Sequence, residues 1–422
     1  MNWELVLLIF GLYPVIGAIC WIVGFFCYRF LFRYKIATDQ KPPVSETFVT
    51  IMVPAHNEEV MIEQTIHYLM NDLVYSNYEV LVMDDGSTDG TPAILARLQK
   101  RYEKLRVIRI EKNKGKAHAF NVGLAFAKGE FILSNDADTV PEPDALWKYQ
   151  LYFDSEEGKN FAAVTANMDV QNRSRLIEKS QTVEFSSIVG IIKRGQMGTL
   201  GTMYAYSGAN TMYRKAAVID VGGFRQDRAT EDISICWDHQ FHGWRSVFAP
   251  NIMFHMNVPS TLKDLYNQRK RWAKGGTEVW LTNFKKTLSH PLKNLSEIVM
   301  LIDQTFSILW SLFYVASMAY FIVRLIQFLT VQNYERIWHM LAMMFIFVTF
   351  QMFAGLIQVL AALIADDRRK KLKYFFFSPF YIIWYWQMNT FTIFVTFIAA
   401  IKTILGFGSG TWKSPERLAT NH

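Results

Sequence analysis

Four long stretches of this 422-residue sequence lack charge altogether: 5–28, 304–323, 337–365 and 374–401 contain no Asp, Glu, Lys or Arg. Each reaches the roughly 20 apolar residues that a helix needs to cross a bilayer, which excludes a wholly soluble chain. A buried core helix would be shorter and would carry a polar stripe. The first stretch also lacks the marks of a secretory leader. No basic residue precedes it in 1–4, and no small-residue cleavage pattern ends it, so it reads as an uncleaved anchor. Cysteine is scarce. Cys20, Cys27 and Cys236 are too few and too scattered for a disulfide framework or a zinc site, which suits a reducing compartment. The Gly-x-x-x-x-Gly-Lys spacing of a phosphate loop is missing around Asn113-Lys114-Gly115-Lys116, which argues against an ATPase. No nucleic-acid module is recognisable, and no nucleic-acid partner is expected. The net charge of +7 is accounted for by basic residues beside the apolar runs, where they face anionic membrane lipids.

What is present divides the chain into an anchor (1–35), a soluble domain (45–285), a membrane region (286–405) and a polar tail (406–422). Arg29, Arg33 and Lys35 follow the first run, and Arg368, Arg369, Lys370, Lys371 and Lys373 follow the third. Basic residues gather on the cytoplasmic side, so the expectation is a multi-pass cell-membrane protein with its soluble domain in the cytoplasm. Four full crossings would leave Lys402, Lys413 and Arg417 outside. Pro379 therefore suggests a last run that kinks or turns back.

Within the soluble domain, 47–54 alternates and is rich in β-formers, and a helical pattern follows to about Met70. Further strands are expected at 78–83, 105–110 and 131–134, with helices after Asp89 and near Lys116. Ser87, Thr88 and Asp89 are candidate caps for the first of these helices. Strands alternating with helices predict an α/β domain with a parallel sheet covered on both faces. Ligands bind beyond the carboxyl ends of such strands. Each polar cluster falls at such an end: Pro54-Ala55-His56-Asn57-Glu58, Asp84-Asp85-Gly86-Ser87 and Asn135-Asp136-Ala137-Asp138.

Asp136 and Asp138 can together hold a hard divalent cation with a diphosphate, although Asp is also common in plain turns. Lys116 can neutralise a phosphate, or simply open a helix in water. Thr230-Glu231-Asp232 follows a Gly222-Gly223 turn. It reads as a capped helix start with two acids in its first turn, and equally as a carboxylate able to take a proton from an attacking hydroxyl. Gln268-Arg269-Lys270-Arg271-Trp272 offers an amide, a cation for phosphate and an aromatic face for a sugar, on a basic helix suited to a membrane surface.

Taken in order and followed by apolar runs, Asp-Asp-Gly-Ser, Gly-Lys-Ala, Asp-x-Asp, Thr-Glu-Asp and Gln-x-x-Arg-Trp resemble the processive inverting glycosyltransferases with a GT-A (Rossmann-like) fold. Cellulose, chitin and hyaluronan synthases are among them. Residues 183–194 and the tail 412–417 are most similar to the bacterial poly-β-1,6-N-acetylglucosamine synthases of exopolysaccharide and biofilm formation. The resemblance implies a UDP-sugar donor, UDP-N-acetylglucosamine first, a growing polysaccharide acceptor, Mg²⁺ or Mn²⁺, and a small accessory membrane subunit. It places Asp85 on the uridine, with Pro54, Ala55 and Glu58 lining that pocket and Lys116 near the donor. Asp138, with Asp136, would hold the metal, and Asp232 would be the general base, with Glu231 next in line. Gln268, Arg271 and Trp272 would bind diphosphate and acceptor. Two segments depart from the family pattern: 164–169 stands where a Gly-Asn-Pro-Arg type segment is usual, and 207–211 differs from the usual apolar run after Ser-Gly. Both bear on the acceptor side, and so on sugar and linkage rather than reaction type. The alternatives are a synthase of another β-glycan, a non-processive transferase acting on a lipid carrier, and an inactive membrane scaffold. The acids at 85, 138 and 232 speak against the last.

Overall fold

The computed structural model describes residues 3–31, 42–366 and 370–407. Arg33, Lys35, Arg368, Arg369 and the tail segment 412–417 lie outside the described residues. After α1 (Trp3–Leu31) come four neighbouring parallel strands, β1 (Val49–Ala55), β2 (Tyr78–Asp85), β3 (Leu105–Ile110) and β4 (Phe131–Ser134). The helices α2 (Ile62–Asn71), α3 (Thr91–Arg101) and α4 (Lys116–Phe126) connect them. Every residue of β1, β2 and β4 is buried. Strands covered on both faces cannot alternate with polar residues, which is why these segments are nearly continuous apolar runs.

The second half of the domain departs from the all-parallel expectation. It comprises β5 (Thr139–Pro141), α5 (Ala145–Asp154), β6 (Phe161–Val170), α6 (Leu176–Phe185), α7 (Lys193–Leu200), β7 (Thr211–Arg214), α8 (Lys215–Asp220), α9 (Glu231–Phe241) and β8 (Arg245–Met256). The eight strands form one sheet in the order β3-β2-β1-β4-β7-β6-β8-β5. In it β7 is antiparallel to both β4 and β6, and β5 is antiparallel to β8. A side chain ties the start of β7 to β6. Asn210, just before β7, donates to the carbonyls of Ala166 (3.0 Å) and Asn167 (3.2 Å), and its own carbonyl accepts the Tyr149 hydroxyl at 2.5 Å. Of the candidate caps for α3, Asp89 serves: its carboxylate accepts the Thr91 amide at 3.0 Å, with Gly90 at the cap position itself, whereas the Ser87 hydroxyl is taken by the Asn57 amide at 3.0 Å and Thr88 by the Asn57 side chain.

Beyond the sheet lie α10 (Leu262–Ser289), α11 (Leu295–Thr330) and α12 (Tyr334–Ala365). A broken run follows: a 3₁₀ segment Leu372–Phe377, the single turn α13 (Ser378–Phe380), a π segment Tyr381–Tyr385 and α14 (Trp386–Ile404). Pro379 sits in the turn between the 3₁₀ and π segments, where its missing N–H disturbs the ladder. Gly11–Phe30, Leu295–Thr330, Tyr334–Ala365 and Leu372–Ile404 are long and apolar enough to cross a membrane.

Two joints tie these helices to the sheet domain. The helix α1 lies against α7 through glycines: a Cβ on Gly198 would stand 2.6 Å from the Gly24 carbonyl oxygen, and one on Gly24 2.8 Å from the Gly195 Cα. Only backbone-to-backbone packing of small residues allows that approach. At the end of α12, the Asp366 carboxylate accepts from Asn167 (2.8 Å), Ser186 (3.0 Å) and Lys371 (2.7 Å), while Lys371 also reaches Asp169 at 3.0 Å. The segment after α12 is therefore on the same side as the sheet domain.

Candidate active site

The carboxyl ends of β1 and β2 open into two interlocked loops. Pro54 and Ala55 are buried at the end of β1. Asn57 adopts a left-handed backbone (φ 56°), which aims its amide at Ser87 and its side-chain oxygen at the Thr88 amide (2.8 Å). Glu58 is buried, and its amide donates to the Thr91 hydroxyl at 2.9 Å. The Asp85 carboxylate accepts the amides of Lys114 (3.1 Å) and Gly115 (2.8 Å), where Gly115 has φ 96°. Asp85 thereby fixes the loop that opens α4 and aims Lys116.

Lys116 is the hub of a polar cluster drawn from four distant parts of the chain. Its Nζ lies 2.6 Å from Asp136 Oδ1 and 3.4 Å from Glu231 Oε1, and donates to the Gly208 carbonyl at 3.1 Å. Burial disfavours its charge, but Asp136 and Glu231 outweigh that and raise its pKa. Glu231 and Asp232 open α9, the positive end of a helix dipole. The expected Thr230 cap is absent: its hydroxyl makes no capping bond, because it is pressed against Gly275 of α10, where a Cβ would come within 2.2 Å of it. Asp232 is held instead by the Gly208 amide, which donates to Oδ2 at 3.0 Å, and by its neighbour Ile233 at 2.9 Å. Burial and the adjacent Glu231 push Asp232 up to about 6, against the pull of Lys116 and Arg271. It is a carboxylate at neutral pH with more basicity than an ordinary one.

Two further residues complete the cluster, and neither was singled out from the sequence for its chemistry. Gly208 bridges Lys116 and Asp232, and a Cβ there would lie 3.2 Å from both Glu231 Oε1 and Lys116 Nζ and 3.3 Å from Asp232 Oδ2. Lys193 is buried, donates to the Ser207 hydroxyl at 2.7 Å, and is pulled down to about 8 by burial, with Asp232 opposing. The only signals in the sequence were the Ser-Gly step within 207–211 and the position of Lys193 in 183–194.

Asp136 and Asp138 occupy the turn from β4 to β5, shaped by Asn135, whose side chain donates to the carbonyls of Asp136 (2.9 Å) and Thr139 (2.8 Å). Asp136 is half-buried beside Lys116, and Asp138 is buried next to the Thr139 hydroxyl at 3.3 Å. Hard carboxylate oxygens in this number suit a cation that completes its shell with water and substrate phosphates. No group of three or more His, Cys, Asp or Glu side chains gathers as a cage among the described residues. The residues fit a shared metal of that kind.

The Gln268, Arg271 and Trp272 motif sits on α10, and Arg271 is close enough to act on the charge of Asp232. The residue between them organises it. Arg269 donates to the Gln268 side chain at 2.7 Å, lies 4.1 Å over the Trp272 ring, and pairs with the buried Glu184 at 2.5 Å. Among the described residues no hydrogen bond or ion pair joins Gln268 or Trp272 to the Lys116 cluster.

A mixed sheet with an acid-lined carboxyl edge and a buried lysine hub beside a carboxylate of raised basicity fits a nucleotide-sugar glycosyltransferase of the GT-A class. Residues 50–222 match the model of glycosyl transferase family 2. The chain is 31% identical over 412 residues to a poly-β-1,6-N-acetyl-D-glucosamine synthase of Staphylococcus epidermidis, covering 96% of this chain and 97% of that one. A synthase of the same name from Staphylococcus aureus (strain COL) is 32% identical over 413 residues, with 96% and 97% covered. A mannosyltransferase from Pyrobaculum calidifontis, solved with GDP-Man and Mn²⁺, shares the fold at a TM-score of 0.55 and 19% identity, over 85% of this chain and 99% of that one. The chain belongs to glycosyl transferase family 2.

Proposed function

We propose that this protein polymerises N-acetylglucosamine from UDP-N-acetylglucosamine into a β-linked exopolysaccharide and passes the product across the cell membrane. One observation carries the reading: similarity along nearly the whole chain to the named synthases, membrane helices included, in a chain whose Lys116, Asp136, Glu231 and Asp232 converge. The 45–285 domain is the cytoplasmic catalytic unit, 1–35 its anchor, 286–405 the membrane region and 406–422 the tail. Lys371 against Asp169 supports placing the basic segment after α12 on the catalytic side, as the charge distribution requires.

The uridine lies in the pocket of Pro54, Ala55, Glu58 and Asp85. Asp85 serves it chiefly by ordering the loop before Lys116, given the two amides its carboxylate already accepts. Asp138 and Asp136 would hold Mg²⁺ or Mn²⁺, which when bound neutralises the donor diphosphate. The acceptor hydroxyl attacks the anomeric carbon, the bond to UDP breaks, and Asp232 takes the hydroxyl proton in a single inverting displacement. Lys116 and Arg271 hold the departing phosphate charge. Gln268 and Trp272 seat the acceptor, with Trp272 as the stacking face.

The test uses the full chain purified in detergent, given single UDP-sugars with Mg²⁺ or Mn²⁺, with UDP release and polymer both measured. UDP-N-acetylglucosamine is expected to give polymer sensitive to a β-1,6-specific hexosaminidase. Faster polymer formation from another UDP-sugar would replace the sugar and keep the class. A single transfer to a lipid carrier, with no polymer, would reject the processive reading.

A further inference from the structure

A concavity of about 530 Å³ lies where the start of α6 meets α12 and the run after it, lined by Leu176, Leu356, Phe375, Phe376, Phe377 and Phe380. Its size is that of a ligand pocket, roughly 300–1,000 Å³, and its lining shares no residue with the polar cluster. Phe376 is 86% exposed, and Leu176 and Pro379 are also exposed. Leu356 is nine residues from the end of α12 at Ala365, so the pocket lies on the order of 13 Å along the helix from its catalytic-side end. That level lies within the apolar span of α12, where an acyl chain can reach it.

Cations lie beside this pocket, one over a lining ring and two over Tyr374, the neighbour of the lining Phe375. Lys179 Nζ stands 5.6 Å from the Phe377 ring centre, one helical turn from Leu176 on the same face of α6. Lys373 Nζ and the Arg173 guanidinium lie 5.4 Å and 5.2 Å from the Tyr374 ring. Arg173 is paired with Asp169. Lys179, Lys373 and the exposed Arg175 have no carboxylate partner among the described residues. An apolar pocket with unpaired cations beside it matches a molecule with a hydrocarbon body and a negative head.

We propose that this pocket binds one anionic phospholipid, an acyl chain among Leu176, Leu356 and the phenylalanines and its phosphate against Lys179 and Lys373. The proposal rests on α12 and the run after it being embedded in a membrane, and not on the sugar transferred. Free phosphate is too small to use the apolar lining, and a zwitterionic lipid gains less from the two lysines because its own ammonium offsets its phosphate.

Native mass spectrometry of the full chain, released from detergent after incubation with phosphatidylglycerol or phosphatidylcholine, tests it. One phosphatidylglycerol per chain is expected, preferred over phosphatidylcholine by at least about tenfold, since two lysines near a membrane surface each favour an anionic headgroup. Lys179→Gln with Lys373→Gln should remove that preference, and Leu176→Trp should lower retention of both lipids. Both lysines are off the protein core, so the charge variant decides the matter even if the tryptophan variant folds poorly. Equal retention of the two lipids overturns the proposal, as does unchanged phosphatidylglycerol retention in the lysine variant. A particle holding two chains and no lipid gives this face to a second copy, and also overturns it.

Discussion

The amide of Gly208 donates to the Asp232 carboxylate at 3.0 Å, and the carbonyl of the same residue accepts Lys116 at 3.1 Å. One backbone unit thus sets the separation between the Asp232 carboxylate and the Lys116 ammonium, the proposed base and donor-side cation. Its Cβ position would lie 3.2–3.3 Å from three charged atoms, closer than such contacts ordinarily come. Gly208→Ala should therefore displace Asp232 and Lys116 without unfolding the domain. Small displacements of reacting groups can cost on the order of a hundredfold, so transfer is expected to fall by that order while UDP still binds. A near wild-type rate in this variant would show that the turn tolerates a methyl group.

Asp232 lends the reaction a pH signature. Transfer should decline below about pH 6, where its carboxylate gains a proton. Stability should run the other way. The folded-state value is raised above the ordinary 3.8, so this group's stabilising contribution is present at low pH and lost as pH rises through about 6. Asp232→Asn should accordingly melt higher than the parent at about pH 8, keep only about half of that gain at about pH 5, and lose at least about a hundredfold in transfer. Equal melting differences at both pH values would contradict the assigned burial of charge.

Lys193 is one of the charges around Asp232, together with Glu231, Lys116 and Arg271. Lys193→Met keeps the bulk but removes both the bond to Ser207 and the positive charge. The acid limb of the rate profile should then move to higher pH, because a lost cation disfavours the ionised carboxylate. A lower rate with an unmoved limb would leave Lys193 a purely structural prop of the 207–208 turn.

Metal dependence is read at Asp138. With a cation shared between this carboxylate and the donor phosphates, Asp138→Asn should weaken UDP binding in Mn²⁺ or Mg²⁺ buffer and leave metal-free UDP binding little changed. Isothermal titration with and without each metal separates the two terms, and also ranks the metals. Unaltered metal-dependent affinity would remove Asp138 from the site.

The parallel half of the sheet was legible because β1, β2 and β4 are covered on both faces and each ends at a polar cluster. The mixed half was not. The strand β7 has four residues, β5 has three, and their partners are distant strands, β4 and β6 for the one and β8 for the other, which no local pattern encodes. At the site, Lys116, Asp136, Glu231 and Asp232 were recognisable through the order of their motifs. Gly208 and Lys193 carry no motif of their own, and their parts depend on a fold that brings residues 116, 193, 208 and 232 together. Thr230, Ser87 and Thr88 do not cap for a related reason: they meet tertiary partners or neighbours that displace local capping, while Asp89 keeps the Thr91 amide.

The buried pair of Glu184 and Arg269 supports the last prediction. Both are almost fully inaccessible, 1% and 2% exposed, and their charged atoms meet at 2.5 Å beneath the Trp272 ring. Burial raises the Glu184 pKa even against the pull of Arg269, so the pair contributes less to stability than its short distance suggests. Removing one partner is a different matter, since it strands a charge in the interior at a cost of about 3–5 kcal/mol. Glu184→Gln should therefore lower the melting temperature sharply. The double change Glu184→Leu with Arg269→Met should restore most of it, by exchanging the ion pair for apolar contacts. The double variant should nevertheless make shorter polymer, because Trp272 loses the guanidinium that holds its ring and Gln268 loses its donor. Trp272→Ala should shorten polymer in the same way while some donor hydrolysis to water continues. Thermal melts, UDP release and polymer length on all three variants test the division of labour. Full-length polymer from the double variant would show that Arg269 serves packing alone.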